Sequence, residues 1–268
     1  MTPIRIDTPD DPRIAAYRDI RERDLAGREG LFIAEGKVVL NVLFSARRFR
    51  ARSALILENR LPGMSETLAL ADPAMPVYVT DRSVMDAIAG FPVHRGILAL
   101  GERRDSDAPG EILARSGDPS LVVALAGIAN HDNMGAIFRN AAAFGAAGVL
   151  LDRECCDPLY RKAIRVSVGA ALKVPFARAG TAAEMTTDLQ SAGYRVLALS
   201  PSGSNRLQDL TADDRIALLL GTEGEGLPPA LMAGLETVRI PMRQDFDSLN
   251  VATAGAIALS HFHALAGA

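Results

Sequence analysis

The sequence predicts an α/β protein of two domains, in which a small N-terminal α/β domain precedes a larger domain built on a parallel sheet. Three observations support this. Beyond residue 119, continuous apolar segments alternate with helical ones, which is typical of parallel strands covered on both faces. Before residue 105, short strand-like segments dominate. Between them, residues 106–118 are rich in charge, glycine, serine and proline, which predicts a linker.

The first domain, residues 1–105, begins with a predicted strand and helix in EGLFIAEGKVVLNVLFSA. Short strands are predicted in ARSALILEN, MPVYVTD and RGILALGE. A capped helix in DRSVMDAIAG is predicted between the last two of these strands. This pattern indicates a small α/β domain of about a hundred residues.

The second domain, residues 119–268, begins with the predicted buried strand LVVALAGI. Further strands are predicted in AAGVLLD, VPFARA, YRVLALS, RIALLLGTE and TVRIPM. Helices are predicted in residues 129–145, PLYRKAIRVSVGAALK, TAAEMTTDLQSAG, PPALMAGLE and SLNVATAGAIALSHFHALAG. Because strands and helices alternate, a ligand should bind in the loops at the carboxyl ends of the strands.

The composition is that of a globular protein, since 49% of the 268 residues are apolar and 23% are charged. No apolar run approaches the roughly 20 residues that span a membrane, and the N-terminus lacks the pattern of a signal peptide. Cys155 and Cys156, the only cysteines, are adjacent and have neither disulfide nor zinc spacing. The four histidines show no metal spacing either. We therefore expect a cytoplasmic protein without a bound metal ion.

Basic residues are concentrated in two segments without acids, although the net charge is −3. The first, residues 36–57, contains Lys37, Arg47, Arg48, Arg50 and Arg52. The second, residues 158–178, contains Arg161, Lys162, Arg165, Lys173 and Arg178. Each segment alone is compatible with a solvated face, but two on a mildly acidic chain favour contacts with a polyanion.

The loop NHDNMGAIFRN follows the first strand of the second domain. Asn133 and Asp132 are good capping residues for a helix that carries Arg139 in its middle. Alanines at several positions give this helix small side chains, so that another element should pack close to it. The alternative is an ordinary capped helix with an arginine on its surface.

Two later loops also carry unusual residues. In LLLGTEGEGLP, three glycines surround Glu223, but the spacing is not GxGxxG and no Walker lysine follows. A phosphate-binding loop is therefore not expected, whereas backbone contacts to an adenine or ribose remain open. In IPMRQDFDSLNVATAGAIAL, Ser248 is expected to cap the last helix, with Asn250 in its first turn.

Three motifs in order, NxxNxGxxxRxAxxFG (residues 130–145), GTEGEGL and IPM…SLNV, resemble those of the SpoU-type (TrmH-like) RNA 2′-O-ribose methyltransferases of the SPOUT class. The resemblance covers about 150 residues from Leu121 onward, and KAIRVSVGAALKVP fits the segment between the first two motifs. It implies a C-terminal parallel sheet tied in a deep trefoil knot. More loosely, FIAEGKVVLNVL and HRGILALGE resemble the small α/β sandwich domain that binds the substrate in such enzymes.

The resemblance also implies S-adenosylmethionine as the methyl donor. The residues that would bind this cofactor, largely through backbone groups, are Gly221, Ile240, Met242 and Leu249. Arg139 would act beside the ribose 2′-hydroxyl, orienting the ribose and stabilising a developing alkoxide. The residues that would complete the catalytic pocket are Asn133, Glu223, Ser248 and Asn250. A homodimer is implied as well, with Arg139 of one subunit facing the cofactor of the other.

An RNA substrate follows from the same resemblance, with rRNA favoured over tRNA because a domain like this one usually accompanies rRNA-directed members. The residues expected to contact RNA are Lys37, Arg47, Arg48, Arg50 and Arg165. This chain has Gln244 and Asp245 after IPM, where the family usually has a glycine, and Arg95 where the family often has glutamine. Three alternatives stay open: a tRNA 2′-O-methyltransferase, a catalytically silent RNA-binding relative, and a small-molecule methyltransferase on an unknotted Rossmann sheet.

Overall fold

A computed structural model describes residues 2–18, 30–46, 48–89, 95–104, 107–211, 213–222, 224–243 and 245–266. The chain divides into two compact units. The first contains residues 1–105 and 157–173, and the second contains residues 106–156 and 174–268. Most of the second basic segment thus belongs to the N-terminal unit, although it lies within the C-terminal half of the chain. Within the described ranges, no helix has the length and apolar character needed to cross a bilayer.

The first unit contains a five-stranded mixed sheet of order β1-β4-β3-β5-β2. The strands are β1 (Ile4–Arg5), β2 (Leu31–Glu35), β3 (Phe49–Leu57), β4 (Val77–Thr80) and β5 (Ile97–Arg103). The α-helices among the described residues before residue 105 are α1 (Lys37–Ser45), α2 (Ser65–Ala69) and α3 (Arg82–Ala89). Strand β5 runs antiparallel to both β3 and β2, so the sheet is mixed. Tyr17 lies in the core, where its hydroxyl is 2.8 Å from Ser53 Oγ.

The second unit contains a seven-stranded sheet in which every neighbouring pair is parallel, in the order β10-β12-β9-β11-β6-β7-β8. The strands are β6 (Ser120–Leu125), β7 (Gly148–Leu151), β8 (Phe176–Arg178), β9 (Arg195–Leu199), β10 (Asn205–Arg206), β11 (Arg215–Leu220) and β12 (Glu236–Arg239). The helices are α4 (Pro109–Arg115), α5 (His131–Ala143), α8 (Ala182–Ser191), α9 (Pro229–Met232) and α10 (Val251–Ala266). The predicted α/β class with a C-terminal parallel sheet is confirmed, while the trefoil knot stays a prediction.

The predicted helix over residues 158–173 is wrong in one respect, because two short helices replace it. They are α6 (Arg161–Val166) and α7 (Ala170–Lys173). Between them, Val168 and Gly169 both have positive φ, at 53° and 86°. The φ of 86° favours glycine at position 169, and a Cβ atom there would also make a tight contact of 3.2 Å with the side chain of Val42 on α1.

Residues 109–115, within the segment expected to be a linker, form helix α4. Ile112 and Leu113 of this helix are buried in the core of the second unit. These are the two residues around which the apolar pattern of the segment persists. Two short strands, β1 and β10, were not expected from the sequence.

A buried ion pair joins the segment 157–173 to the sheet of the first unit. Arg161 Nη2 donates to Glu35 Oε2 at 2.6 Å, and the two side chains are only 16% and 4% exposed. A second pair in the same unit joins Arg103 Nη2 to Asp157 Oδ2 at 3.1 Å. Arg161 therefore has a structural partner, which its position in an acid-free basic segment did not indicate.

We expect Arg161→Met to lower the free energy of unfolding by about 3–5 kcal/mol, because it leaves the Glu35 carboxylate buried without its partner. Urea unfolding measures this change. Arg52→Met is the matched control, since Arg52 pairs with Glu102 at 3.2 Å with side chains 48% and 31% exposed, and such pairs contribute about 1 kcal/mol or less. Equal small losses in both variants would contradict a structural role for the buried pair.

Candidate functional site

A pocket of about 370 Å³ lies at the carboxyl ends of β9, β11 and β12, beside the start of α10. This is the position that a parallel sheet predicts for a ligand. The described residues that line it are uncharged: Leu199, Ser200, Pro201, Leu220, Gly221, Thr222, Gly224, Gly226, Val238, Ile240, Met242, Ser248, Leu249, Asn250, Val251 and Ala254. The four residues predicted to bind the cofactor therefore all line one pocket, together with Ser248 and Asn250.

The loop after β11 forms one wall of the pocket. Thr222 and Gly226 form an isolated bridge, and Thr222 Oγ1 donates to the carbonyl oxygen of Gly226 at 3.3 Å. A Cβ atom at Gly221 would lie 2.7 Å from the backbone of Gly226 and Leu227, so no larger residue fits without movement of the backbone. Glycine thus lets the loop close on itself and present backbone groups to the pocket. Glu223 lies outside the described residues.

A second wall is the turn that follows β9, and Arg239 holds it against β12. Arg239 Nη1 donates to the carbonyl oxygens of Gly203 at 2.6 Å and Ser204 at 2.7 Å. Gly203 itself lies against the backbone of Val238, where a Cβ atom would be only 2.5 Å away. This wall was not predicted from the sequence, although PSG directly after the strand YRVLALS is a turn signal.

The start of the last helix differs from the prediction. Helix α10 begins at Val251, and Asn250 caps it by accepting hydrogen bonds from the backbone N–H groups of Ala252 at 3.0 Å and Thr253 at 3.2 Å. Asn250 Nδ2 also donates to Asn133 Oδ1 at 2.9 Å. The expectation that Ser248 is the cap is therefore wrong, because Asn250 both caps the helix and binds a neighbouring one.

Asn130 caps helix α5, since its side chain accepts hydrogen bonds from the backbone N–H groups of Asp132 and Asn133. The prediction that Asp132 or Asn133 would cap this helix is wrong, because both lie inside its first turn. Asn133 is 7% exposed and its amide is bound to Asn250. Further along α5, Asn140 Nδ2 donates to the carbonyl oxygen of Ala252 at 3.0 Å. Two asparagines of α5 thus fasten the helix whose start lines the pocket.

Arg139 is exposed on α5 and does not line the pocket formed by the described residues. It follows Asn133 by six residues, which is about 240° around a helix, so the two side chains point in different directions. No described residue forms a hydrogen bond or ion pair with the guanidinium of Arg139. Within one chain, Asn133 therefore positions Asn250 rather than Arg139.

The residues expected to contact RNA lie in the first unit. Lys37, Arg50 and Arg165 are exposed, Arg48 lies over the ring of Phe49, and Arg47 lies outside the described residues. Lys37 also donates a hydrogen bond from Nζ to the carbonyl oxygen of Gly63 at 2.9 Å. Other members of the two basic segments have internal partners as well. Arg52 pairs with Glu102, Arg161 pairs with Glu35, and Arg178 donates to the carbonyl oxygens of Asp152 and Cys155. Arg52, Arg161 and Arg178 therefore stabilise the fold, while Lys37, Arg50 and Arg165 keep exposed side chains that could contact a polyanion.

Comparisons with known proteins agree on one family. Residues 120–260 match the model of the SpoU rRNA Methylase family. An uncharacterized tRNA/rRNA methyltransferase of Mycobacterium tuberculosis is 39% identical over 259 residues, which cover 93% of this chain and 88% of that protein. A second such protein, from Mycobacterium ulcerans, is 33% identical over 71% of this chain and 62% of its own length.

Solved structures share the fold across nearly the whole chain. An rRNA methyltransferase from Sinorhizobium meliloti superposes with a TM-score of 0.83 at 23% identity, covering 98% of both chains. The SpoU methyltransferase AviRb from Streptomyces viridochromogenes has a TM-score of 0.78 at 21% identity, covering 93% of this chain and 94% of its own. Both of these proteins have also been solved with AdoMet bound. At these identities the likeness establishes the fold.

Proposed function

This chain belongs to the SpoU rRNA methylase family and is an RNA methyltransferase, and we propose on that premise that it transfers a methyl group from S-adenosylmethionine to a ribose 2′-hydroxyl of structured RNA. One observation carries the proposal. The residues that match the second and third family motifs converge on one uncharged pocket at the carboxyl ends of β9, β11 and β12. The alternative of a small-molecule methyltransferase on a Rossmann sheet is excluded by the family assignment.

The pocket fits S-adenosylmethionine in volume and chemistry. Its 370 Å³ lies in the usual range for a small ligand. Leu220, Ile240 and Leu249 offer apolar walls for an adenine, while the loop from Gly221 offers backbone hydrogen-bonding groups. No described lining residue carries a positive charge that would repel a sulfonium. When bound there, the cofactor supplies an electrophilic methyl group.

Arg139 is the residue we assign to the ribose. An arginine stays protonated at neutral pH, so its role is to orient the ribose and the adjacent phosphate and to stabilise negative charge on the attacking oxygen. Ser248 and Asn250 contribute neutral polar groups at the pocket, and Asn133 holds Asn250 through the 2.9 Å hydrogen bond. Glu223, outside the described residues, completes this set in the proposal.

We also propose a homodimer, because Arg139 is exposed and does not line the pocket formed by the described residues of its own chain. A second copy would bring its Arg139 to that pocket. On α5, Ala142 and Ala143 are exposed and offer small side chains for close packing, whereas Ala141 is buried in the core.

Sedimentation at micromolar concentration should therefore give a particle of twice the 28.4 kDa chain mass. Mixed dimers of an Arg139→Ala chain and a Gly221→Ala chain should also recover methyl transfer, because one of their two sites keeps an intact arginine and an intact pocket. A purely monomeric protein, or inactive mixed dimers, would contradict a shared site.

We propose rRNA as the substrate. Two alternatives are a tRNA substrate and a catalytically silent RNA-binding relative. Mapping 2′-O-methylation across rRNA and tRNA, in cells with and without the gene, tests all three. One rRNA ribose that loses its methyl group in the deletion strain, and regains it on complementation, is the expected result. Loss of a methyl group from a tRNA ribose would favour tRNA as the substrate. Unchanged methylation of both RNAs would favour the catalytically silent relative.

Lys37, Arg50 and Arg165 should contact phosphates without reading sequence. Changing all three to glutamine should weaken RNA binding and flatten the slope of log K against log salt by roughly two to three. The donor affinity should not change. The matched control replaces Arg115, Arg153 and Arg206, exposed arginines of the second unit that each face a carboxylate. An identical salt slope in both triple variants would show that the first three are ordinary surface residues.

A further inference from the structure

Phe246 has the highest exposure of the large apolar side chains that the structure describes, at 65%. It lies on the loop between β12 and α10, four residues after Met242 and two residues before Ser248, both of which line the pocket. No described residue makes a ring contact with it. A phenylalanine held in solvent beside a ligand pocket suggests that a partner covers it during function.

Two hydrogen bonds are formed by described residues next to Phe246 in this loop. The backbone N–H of Phe246 donates to the carbonyl oxygen of Arg243 at 3.2 Å, and Arg243 Nε donates to Asp245 Oδ1 at 3.2 Å. Further along the loop, Ser248 and Leu249 line the pocket. Phe246 therefore lies on a short loop between two lining residues, Met242 and Ser248.

The charges around Phe246 narrow the choice of partner. Asp245 and Asp247 flank it, and both are exposed. Arg243 pairs with Asp245 and offsets its charge, but the carboxylate of Asp247 still repels a phosphodiester backbone. The face of a nucleobase is uncharged and stacks well on an aromatic ring. Base edges also carry amino groups that a carboxylate can accept hydrogen bonds from. The chemistry of this loop therefore fits a base rather than a phosphate.

We propose that Phe246 is a stacking site for an unpaired nucleobase of the RNA substrate, next to the pocket for the methyl donor. The inference rests on the proposed function, because a ribose whose 2′-hydroxyl enters the pocket brings bases to its rim. Single-stranded bases are the part of RNA that proteins commonly hold by stacking on aromatic side chains. Phe246 would then favour a target nucleotide in a loop or bulge over one in a duplex.

The absence of tryptophan from the chain makes a direct test available. Phe246→Trp keeps an aromatic ring and adds a single fluorophore at the loop. A ten-nucleotide oligouridylate should quench this fluorescence, whereas an abasic ribose-phosphate oligomer of the same length should not. Equal quenching by both oligomers, or none by either, would overturn the stacking site.

Affinity for the same oligouridylate provides the second readout. Phe246→Ala should weaken binding about tenfold, while Phe246→Tyr should stay within about twofold of wild type. Leu70→Ala is the control, since Leu70 is also a large apolar residue, 49% exposed, in the other unit. Unchanged affinity in Phe246→Ala would overturn the proposal. A drop in donor affinity would show that Phe246 covers the pocket, and altered sedimentation would show that it is a contact between copies of the chain. Either result would overturn the stacking proposal.

These readouts are independent of the proposed function. A wild-type protein that methylates cellular RNA, but whose Phe246→Trp variant is not quenched by bases, would refute only the stacking site. A protein that binds and stacks on oligouridylate, yet transfers no methyl group to ribose, would refute only the proposed reaction.

Discussion

Arg139→Ala should lower the single-turnover rate of methyl transfer by on the order of a hundredfold or more. Arg139 is exposed and forms no hydrogen bond or ion pair with any described residue, so its removal should leave the fold and the donor pocket intact. The loss should therefore fall on the chemical step, where charge develops on the ribose oxygen. Rapid-quench measurement with saturating donor and RNA isolates that step.

Three comparisons make the Arg139 prediction specific. Arg139→Lys should not restore the rate, because a lysine replaces a planar fork that can span phosphate and hydroxyl with a point charge. Arg153→Ala, at another exposed arginine of the same unit, should be close to wild type. Donor affinity should be unchanged in all three variants. A folded Arg139→Ala protein with nearly the wild-type rate would contradict the role assigned to Arg139.

Gly221→Ala should weaken binding of S-adenosylmethionine by at least about tenfold. The added Cβ would lie 2.7 Å from backbone atoms of Gly226 and Leu227, so the loop that forms the pocket wall must shift. Isothermal titration gives the affinity, and the unfolding midpoint shows whether the sheet is intact. Gly234→Ala is the control, since a Cβ there has no atom within 4 Å. Wild-type affinity in Gly221→Ala would mean that this loop does not shape the donor site.

Much of the pocket could be predicted because its residues follow local rules. Continuous apolar strands such as LVVALAGI and RIALLLGTE indicate a parallel sheet, and a parallel sheet places its ligand loops at one edge. Gly221, Ile240 and Leu249 each lie just after a strand end or at a helix start. Their convergence on one pocket therefore follows from topology.

The parts that the sequence did not predict depend on contacts between distant residues. Ser248 and Asn250 are both good capping residues, and Asn250 caps α10 while its amide reaches Asn133, 117 positions away. Arg161 stands in an acid-free segment, yet its partner Glu35 is 126 positions distant. Arg239 donates to backbone carbonyl oxygens of a turn. Such a contact depends on no particular residue type at the acceptor, so the sequence does not reveal it.

The most direct test of the central claim is the position of the transferred methyl group. Purified protein is incubated with S-adenosylmethionine labelled in the methyl group and with RNA from the deletion strain. One portion of the RNA is then digested to nucleosides, and another portion is treated with alkali. We predict label in a single 2′-O-methylribonucleoside, together with resistance of the adjacent phosphodiester to alkali. Label on a base, or no transfer by folded protein that binds the donor, would contradict ribose methylation as the function of this chain.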